Sequence, residues 1–262
     1  MIHFVTATIS EARPLIDEYN LKKDINSNNF QLFCNEKYSL IVSGIGKINS
    51  ALSVSHTFFK LNQKLNNVWI NIGIAGHINE KIGKLILVNK VIDNGTNQSF
   101  YPFFSRNYSL RQIACTTYDK PNFNYNISMS DMELSGFFCS ANKYSSKELI
   151  HSLKIISDNM NKKIDFKDKN VIQGLIRTNV SKIKKFVSTI EIIHRKFFLL
   201  DEKVNKRIKD DLKMFEYTFS QKIQLSKLLY IIYHNNFSNK NILNYSKDIN
   251  SNIKNLKKIL NL

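Results

Sequence analysis

Cysteine, proline and glycine are scarce in this sequence of 262 residues, which contains three, three and eight of them, respectively. Cys34, Cys115 and Cys139 form no CxxC pair, so neither a disulfide framework nor a cysteine-rich metal centre is indicated. We therefore expect reduced thiols and a cytoplasmic protein. No apolar run reaches the roughly 18 residues that a membrane-spanning helix needs, so we expect no membrane association.

Arginine is also rare, although the formal net charge is +17. Only six of the 38 basic residues are arginines, and the other 32 are lysines. Proteins favour arginine for base edges and for bidentate phosphate contacts, so a nucleic-acid partner is not expected. Lysine and asparagine are spread over the whole chain, which indicates a solvated surface. A functional polyanion site is the alternative interpretation.

Strand-like apolar runs alternate with helical periodicity over the first two thirds of the chain. These runs are residues 2–8, 38–43, 68–74, 85–88 and 149–156. Such alternation predicts an α/β fold, a three-layer sandwich with a central mixed sheet covered by helices on both faces. The segment 94–130, with Pro102 and Pro121, is predicted to be irregular.

The character of the sequence changes near residue 184, where a lysine-rich part without strand-like runs begins. We therefore predict a first domain over 1–184 and a helical C-terminal extension over 185–262. Helices are predicted at roughly 183–200, 203–215, 219–235 and 240–260. Their apolar faces indicate packing against the first domain or another subunit, and an interaction module is the alternative.

Two glycine-containing segments follow predicted strands and are candidates for ligand contacts. Gly44 and Gly46 lie between a strand and a helix, where the free N–H groups of a helix start could bind an anion or a ribose oxygen. Ala75 and Gly76 end the next strand and leave room for a ligand at the carboxyl edge of the sheet. A tight turn or close backbone packing would give the same residues.

Four motifs in order resemble the superfamily of purine nucleoside phosphorylases and methylthioadenosine/S-adenosylhomocysteine nucleosidases. They are Ser43-Gly-Ile-Gly-Lys47, Asn71-Ile-Gly-Ile-Ala-Gly76 followed by Ile82-Gly-Lys84, Asp131-Met-Glu-Leu-Ser135, and Lys154-Ile-Ile-Ser-Asp-Asn159. Each motif alone is loose, but the ordered set is fairly specific and covers about residues 1–175. In this family the Met-Glu pair lies on a buried helix, and the Ser-Asp pair ends a strand.

The resemblance implies a role for each residue of the last two motifs. Glu133 would accept hydrogen bonds from the two ribose hydroxyls, and Met132 would form an apolar wall against the sugar. Asp158 would hydrogen-bond or protonate the purine N7 as a general acid, with Ser157 positioned beside it. From the residues alone, Asp158 could equally be a helix cap and Glu133 an ordinary acid of a first helical turn.

The resemblance also leaves the attacking group open. Hydrolytic members activate water with an N-terminal glutamate, and Glu11 is the only acid in that segment. Phosphorolytic members bind phosphate with arginines, for which Arg13, Arg106 and Arg111 are available without a motif. Ile74 stands where the nucleosidases usually have serine or threonine, so one polar contact is missing and activity itself is in question.

The sequence therefore predicts cleavage of the N-glycosidic bond of a purine nucleoside or related ribosyl compound. No cofactor is implied, apart from inorganic phosphate as a co-substrate of a phosphorylase. A catalytically impaired nucleoside binder and a nucleic-acid-associated protein that uses the basic tail are the alternatives. Scattered histidines indicate no metal site, and a homodimer is left open. The aromatic residues that could stack on the base are Phe100, Tyr101, Phe123 and Tyr125.

Overall fold

A computed structural model describes residues 1–61, 66–102, 109–234, 243–244 and 248–260, without the side chains of 196–201 and 234. The chain forms two compact units, Met1–Ile190 and Glu191–Leu262. The predicted boundary at residue 184 lies inside a helix that continues to residue 212. Within the described ranges, every helix is too short or too polar to cross a membrane.

The first unit contains one large sheet. In the described residues its strands are β1 (Ile2–Thr6), β2 (Lys22–Lys23), β3 (Gln31–Cys34), β4 (Tyr38–Val42), β5 (Val68–Gly76), β6 (Leu85–Asp93), β7 (Ser99–Phe100), β8 (Gln112–Thr117), β9 (Met129–Asp131) and β10 (Ile150–Asp158). The central strands β1 and β10 are buried along their whole length, and β5 is buried except at the half-buried Ile74. This explains why they read as continuous apolar runs in the sequence.

The sheet is mixed, and part of it closes into a ring. Strands β1, β4, β5 and β10 are mutually parallel, with β1 between β4 and β5, and β10 on the other side of β5. Strand β6 pairs antiparallel with β10, and β8 and β9 follow in parallel. Strand β9 then returns to β5 through the antiparallel pair Gly76 and Ser130, which closes the ring. The predicted α/β fold with a central mixed sheet is confirmed.

Helices cover both faces of this sheet. Over the part of the chain that the structure describes, the helices are α1 (Ile9–Glu18), α2 (Lys47–Lys60), α3 (Leu134–Ala141), α4 (Lys169–Arg177), α5 (Val180–Leu212), α6 (Phe219–His234) and α7 (Ile249–Ile259), with a 3-10 turn at Lys147–Leu149. Helices α2 and α3 pack together on one side, and α1 and α4 pack together elsewhere. Adjacent residues of β1 point to opposite faces of the sheet. Val5 belongs to the core under α2 and α3, whereas Phe4 contacts Tyr19, the residue that follows α1.

The second unit has an apolar core of its own. Its buried residues come from the end of α5, from α6 and from α7. They include Val204, Ile208, Leu212, Leu225, Leu229, Ile232, Ile253 and Leu256. The buried apolar faces of α6 and α7 therefore have partners inside the same unit.

Three expectations about local structure were wrong. The segment 94–130 contains strand β8, which lies inside the ring. The helices predicted at 183–200 and 203–215 are joined in one continuous helix, α5, which ends at Leu212, because nothing between them breaks a helix. Met132 and Glu133 precede α3, because the Asp131 carboxylate accepts a hydrogen bond from the Leu134 N–H (3.0 Å) and the helix begins there.

Helices α2 and α3 approach closely at one glycine. A Cβ atom added to Gly136 would lie 1.8 Å from the Lys47 carbonyl oxygen, a contact that no side chain movement can relieve. Gly174 in α4, in contrast, has no atom within 4 Å of an added Cβ.

We predict opposite effects for alanine at these two helical glycines. Gly136→Ala should lower the free energy of unfolding by several kcal/mol or prevent folding, because α2 and α3 must separate. Gly174→Ala should raise it by about 0.5–1 kcal/mol, because it only restricts the unfolded chain. Chemical denaturation of both variants measures the difference. Similar effects at both sites would contradict the packing of α2 on α3.

Candidate functional site

A cavity of about 310 Å³ lies where β1, β5 and β10 end, a size within the range of small-molecule sites. Because these strands are parallel, their carboxyl ends meet at one edge of the sheet. Seven of the predicted site residues line the cavity: Glu11, Ala75, Gly76, Met132, Glu133, Ser157 and Asp158. Gly44 and Gly46 lie in the adjoining turn and do not line it.

Glu11 lines the cavity and is held in place by the start of α1. Thr8 and Glu11 form a reciprocal cap, in which the Thr8 N–H and hydroxyl donate to Glu11 Oε2 at 2.8 and 3.0 Å. Glu11 Oε1 accepts from the Ile74 N–H at 3.1 Å. Burial raises the pKa of Glu11, while the nearby charge of Lys154 and these hydrogen bonds lower it in part.

Glu133 is fixed by the glycine turn. Gly46 has a φ of +102°, a conformation that favours glycine, and its N–H donates to Glu133 Oε1 at 3.0 Å. Burial, together with the negative charge of Asp131, raises the pKa of Glu133 to about 7. The glycine turn therefore contributes to the site by binding a carboxylate of the protein itself, a function that the sequence did not suggest.

A buried ion pair that the sequence analysis missed lies behind these acids. Lys154 Nζ is 2.7 Å from Asp131 Oδ2, and both side chains are fully buried. Burial disfavours the ammonium, but the charges of Asp131 and Glu133 outweigh it, so the pKa of Lys154 is raised. The sequence did contain a signal for this pair, because a lysine within an apolar strand has to be buried and therefore needs an acidic partner.

Lys154 also reaches towards Glu11 through a gap that Gly73 leaves. A Cβ atom on Gly73 would lie 2.9 Å from Glu11 Oε1 and 3.5 Å from Lys154 Nζ. One cation thus stands among three carboxylates, Glu11, Asp131 and Glu133. The site carries excess negative charge when all three carboxylates are ionised, which suits hydroxyl donors and a developing positive charge in a ligand.

Asp158 also lines the cavity, and each of its oxygens accepts a hydrogen bond. Ser157 Oγ donates to Oδ1 and the Tyr125 hydroxyl donates to Oδ2, both at 2.5 Å. The Asp158 backbone carbonyl accepts from the His77 N–H at 3.0 Å. Ser157 acts here as a donor to its neighbour, in a position that orients the carboxylate.

The remaining residues that the sequence analysis proposed for base stacking or phosphate binding lie in different parts of the structure. Phe123 lines the cavity, whereas Phe100 packs on Phe138 in the core and Tyr101 is exposed beside Lys90. Among the arginines considered for phosphate, Arg13 is exposed outside the cavity and Arg111 pairs with Glu80 at 2.7 Å. Arg106 lies outside the described residues.

Comparison with solved structures gives clear matches. A 5′-methylthioadenosine nucleosidase of Arabidopsis thaliana aligns over 72% of this chain and 95% of its own, with a TM-score of 0.62 at 16% identity. This chain has the nucleoside phosphorylase-like fold. The Campylobacter jejuni 5′-methylthioadenosine/S-adenosylhomocysteine nucleosidase has a TM-score of 0.57 at 19% identity, over 72% of this chain and 98% of its own. The likeness that the motifs indicated is therefore confirmed for the fold.

Sequence comparison adds nothing to this likeness, because no family model and no curated protein matches the chain. The Helicobacter pylori nucleosidase, with a TM-score of 0.58 at 16% identity, aligns over 72% of this chain and 97% of its own.

We predict that Glu133 makes stability depend on pH. A carboxyl with a pKa raised from 4.5 to about 7 opposes folding once ionised. Its contribution to the free energy of unfolding therefore falls between pH 4.5 and 7, by on the order of 3 kcal/mol. Glu133→Gln should match the unmodified protein near pH 5 and exceed it in stability at pH 8.

Denaturation at both pH values, with the exposed Glu36→Gln as a matched control, measures this dependence. Lower stability of Glu133→Gln at pH 8 would show that the ionised carboxylate stabilises the fold.

Proposed function

We propose that this protein cleaves the N-glycosidic bond of a purine nucleoside. The observation that carries the proposal is the placement of Glu11, Glu133 and Asp158 around one cavity, although 25 and 122 positions of the chain separate neighbouring members of the set. A nucleoside has three parts with different needs, namely a base that must leave, a ribose that becomes cationic and an attacking group. The three acids offer one carboxyl to each part.

In the proposed reaction Asp158 takes up a proton from solvent, hydrogen-bonds the base and delivers that proton as the glycosidic bond breaks, so the base leaves neutral. Glu133 accepts the ribose hydroxyls, and Met132 lies beside the sugar in the same cavity wall. The negative charge of the carboxylates stabilises the oxocarbenium-like ribose. Glu11 removes a proton from the attacking water, whose oxygen bonds to the anomeric carbon.

We favour hydrolysis over phosphorolysis. None of the described residues that line the cavity is an arginine or a lysine. A phosphate co-substrate would therefore meet carboxylates without a cationic partner of its own, which is unfavourable in a buried site. Lys154 is already paired with Asp131. Two solved nucleosidases of this fold support the purine assignment, one from H. pylori with 5′-methylthioadenosine in its active site and one from Colwellia psychrerythraea with adenine.

Ile74 is the observation that favours the second candidate, a nucleoside binder with impaired catalysis. Its side chain lines the cavity and offers no hydroxyl, whereas its backbone N–H still orients Glu11. Ile74 therefore keeps the backbone hydrogen bond that orients Glu11, the proposed general base, but it provides no polar side chain near the ribose. The proposed catalysis depends on the acids alone.

One experiment separates these functions. Adenosine and 5′-methylthioadenosine are incubated with the protein, with and without phosphate, and the free base is followed by chromatography. We expect adenine to form at a rate that phosphate does not change. Release that requires phosphate would establish a phosphorylase, and calorimetric binding without release would establish the impaired binder. Neither binding nor release would refute the proposed function.

Substitution of the two acids should divide catalysis from binding. Asp158→Asn should lower kcat by about 10²–10⁴-fold with a smaller change in KM, because an amide can hydrogen-bond the base but cannot protonate it. Glu133→Gln should raise KM as well as lower kcat, because the ribose hydroxyls are bound before and during the reaction. Steady-state kinetics of both variants are the measurement, and small, equal effects would place the chemistry elsewhere.

We also propose that the chain forms a homodimer through α2. Ile48, Leu52 and Phe59 are 71%, 56% and 60% exposed and lie on one face of this helix. No lysine, arginine or acid occurs between Lys47 and Lys60, in a chain with 38 basic residues. A neutral apolar stripe of this kind fits a second copy of itself about a two-fold axis.

Leu52→Lys should therefore shift the protein towards monomer, because each copy would bury an ammonium group in an apolar interface. Sedimentation velocity over a range of concentrations measures the shift. Ile25→Lys, at an isolated side chain that is 85% exposed, is the matched control and should leave the distribution unchanged. A monomeric unmodified protein at all concentrations would refute the dimer.

A further inference from the structure

Tyr125 is hydrogen-bonded to Asp158, the carboxylate to which the proposed reaction assigns the leaving base. Its hydroxyl donates to Asp158 Oδ2 at 2.5 Å, and Ser157 already donates to Oδ1. Both oxygens of Asp158 therefore have a donor from the protein itself. Burial and the Asp158 charge raise the pKa of Tyr125, so the phenol keeps its proton and remains a donor.

Gly76 is an independent sign that the tyrosine and the carboxylate are packed together. A Cβ atom on Gly76 would lie 2.7 Å from Asp158 Oδ2 and 2.8 Å from Tyr125 Cε1. Any larger residue would push the two side chains off the end of β5. The absence of a side chain at Gly76 therefore makes room for Tyr125 and Asp158 to pack together.

The segment that carries Tyr125 is anchored at both ends and exposed between them. Between β8 and β9, the Tyr118 N–H donates to the Asp131 carbonyl at 2.9 Å, and His77 Nε2 lies 2.9 Å from the Ile127 carbonyl. Between these anchors, Asn122 and Phe123 line the cavity. The side chain of Tyr125 can therefore turn away while the segment stays attached to the sheet.

We propose that Tyr125 controls access to Asp158: its hydroxyl holds the place of the base in the free protein and must leave when a purine binds. This inference rests on the proposed function, because it assigns the base to Asp158. Entry then exchanges one hydrogen bond to the carboxylate for another. A ligand with no hydrogen-bonding group at this position leaves Tyr125 in place and is rejected, so the tyrosine also contributes to specificity.

The test removes only the hydroxyl. Adenine, a probe that is not turned over, is titrated calorimetrically into the unmodified protein, into Tyr125→Phe and into Tyr101→Phe. Tyr101 is exposed, lies outside the cavity and provides the same chemical change elsewhere. We expect Tyr125→Phe to bind adenine roughly threefold to tenfold more tightly, because no hydrogen bond to Asp158 must be broken first. Tyr101→Phe should bind like the unmodified protein.

The nucleosidase kinetics give a second readout. In Tyr125→Phe, KM for 5′-methylthioadenosine should fall by a similar factor while kcat changes less, since the competing contact exists only before binding. Equal or weaker adenine binding by Tyr125→Phe would overturn the inference alone. Failure of all three proteins to bind adenine would overturn the proposed function, and this inference with it.

Discussion

The site depends on one cation, the ammonium of Lys154, placed among three carboxylates. Asp131 is in direct contact with it, and Glu11 and Glu133 lie near enough for its charge to lower their pKa values against the effect of burial. A buried carboxylate without a partner costs several kcal/mol, so three of them could not share this edge of the sheet without a counter-ion. Lys154 belongs to the strand that also ends in Asp158, so one short stretch of chain supplies both the charge balance and a further acid of the cavity.

Backbone geometry then decides how each acid can act. Glu11 is oriented by Thr8 and Ile74, and Glu133 by the N–H of Gly46, so both are held by groups that cannot rotate freely. Gly73 and Gly76 serve the opposite purpose, because each leaves a space that a side chain would fill. The glycines at the end of β5 therefore let the charged side chains approach one another, and they also leave room for a ligand.

The sequence predicted the central strands and the glycine turn because apolar runs and glycines have direct local causes. It missed β8 because Thr116 and Thr117 look solvated, whereas their hydroxyls bond to Ser128 and Asp131 inside the ring. Lys154 was overlooked since its partner lies 23 positions earlier, and no local pattern joins the two. Glu133, Asp158 and Glu11 could be named only through the resemblance to known enzymes. The contact between Tyr125 and Asp158 depends on the path of an irregular segment, which periodicity does not describe.

The closed ring of strands has a consequence for the order in which the protein can fold during synthesis. Strand β5 is complete at Gly76 and β6 at Asp93, yet the strand that joins them, β10, begins only at Ile150. Until the ribosome has released β10, the edges of β5 and β6 that pair with it in the folded protein remain without partners. Pairing of Trp69 with Ile150 must also close a loop of about 80 residues. The nascent chain therefore passes through a stage with exposed β edges, in which chaperones or self-association would act. The last strand ends this exposure.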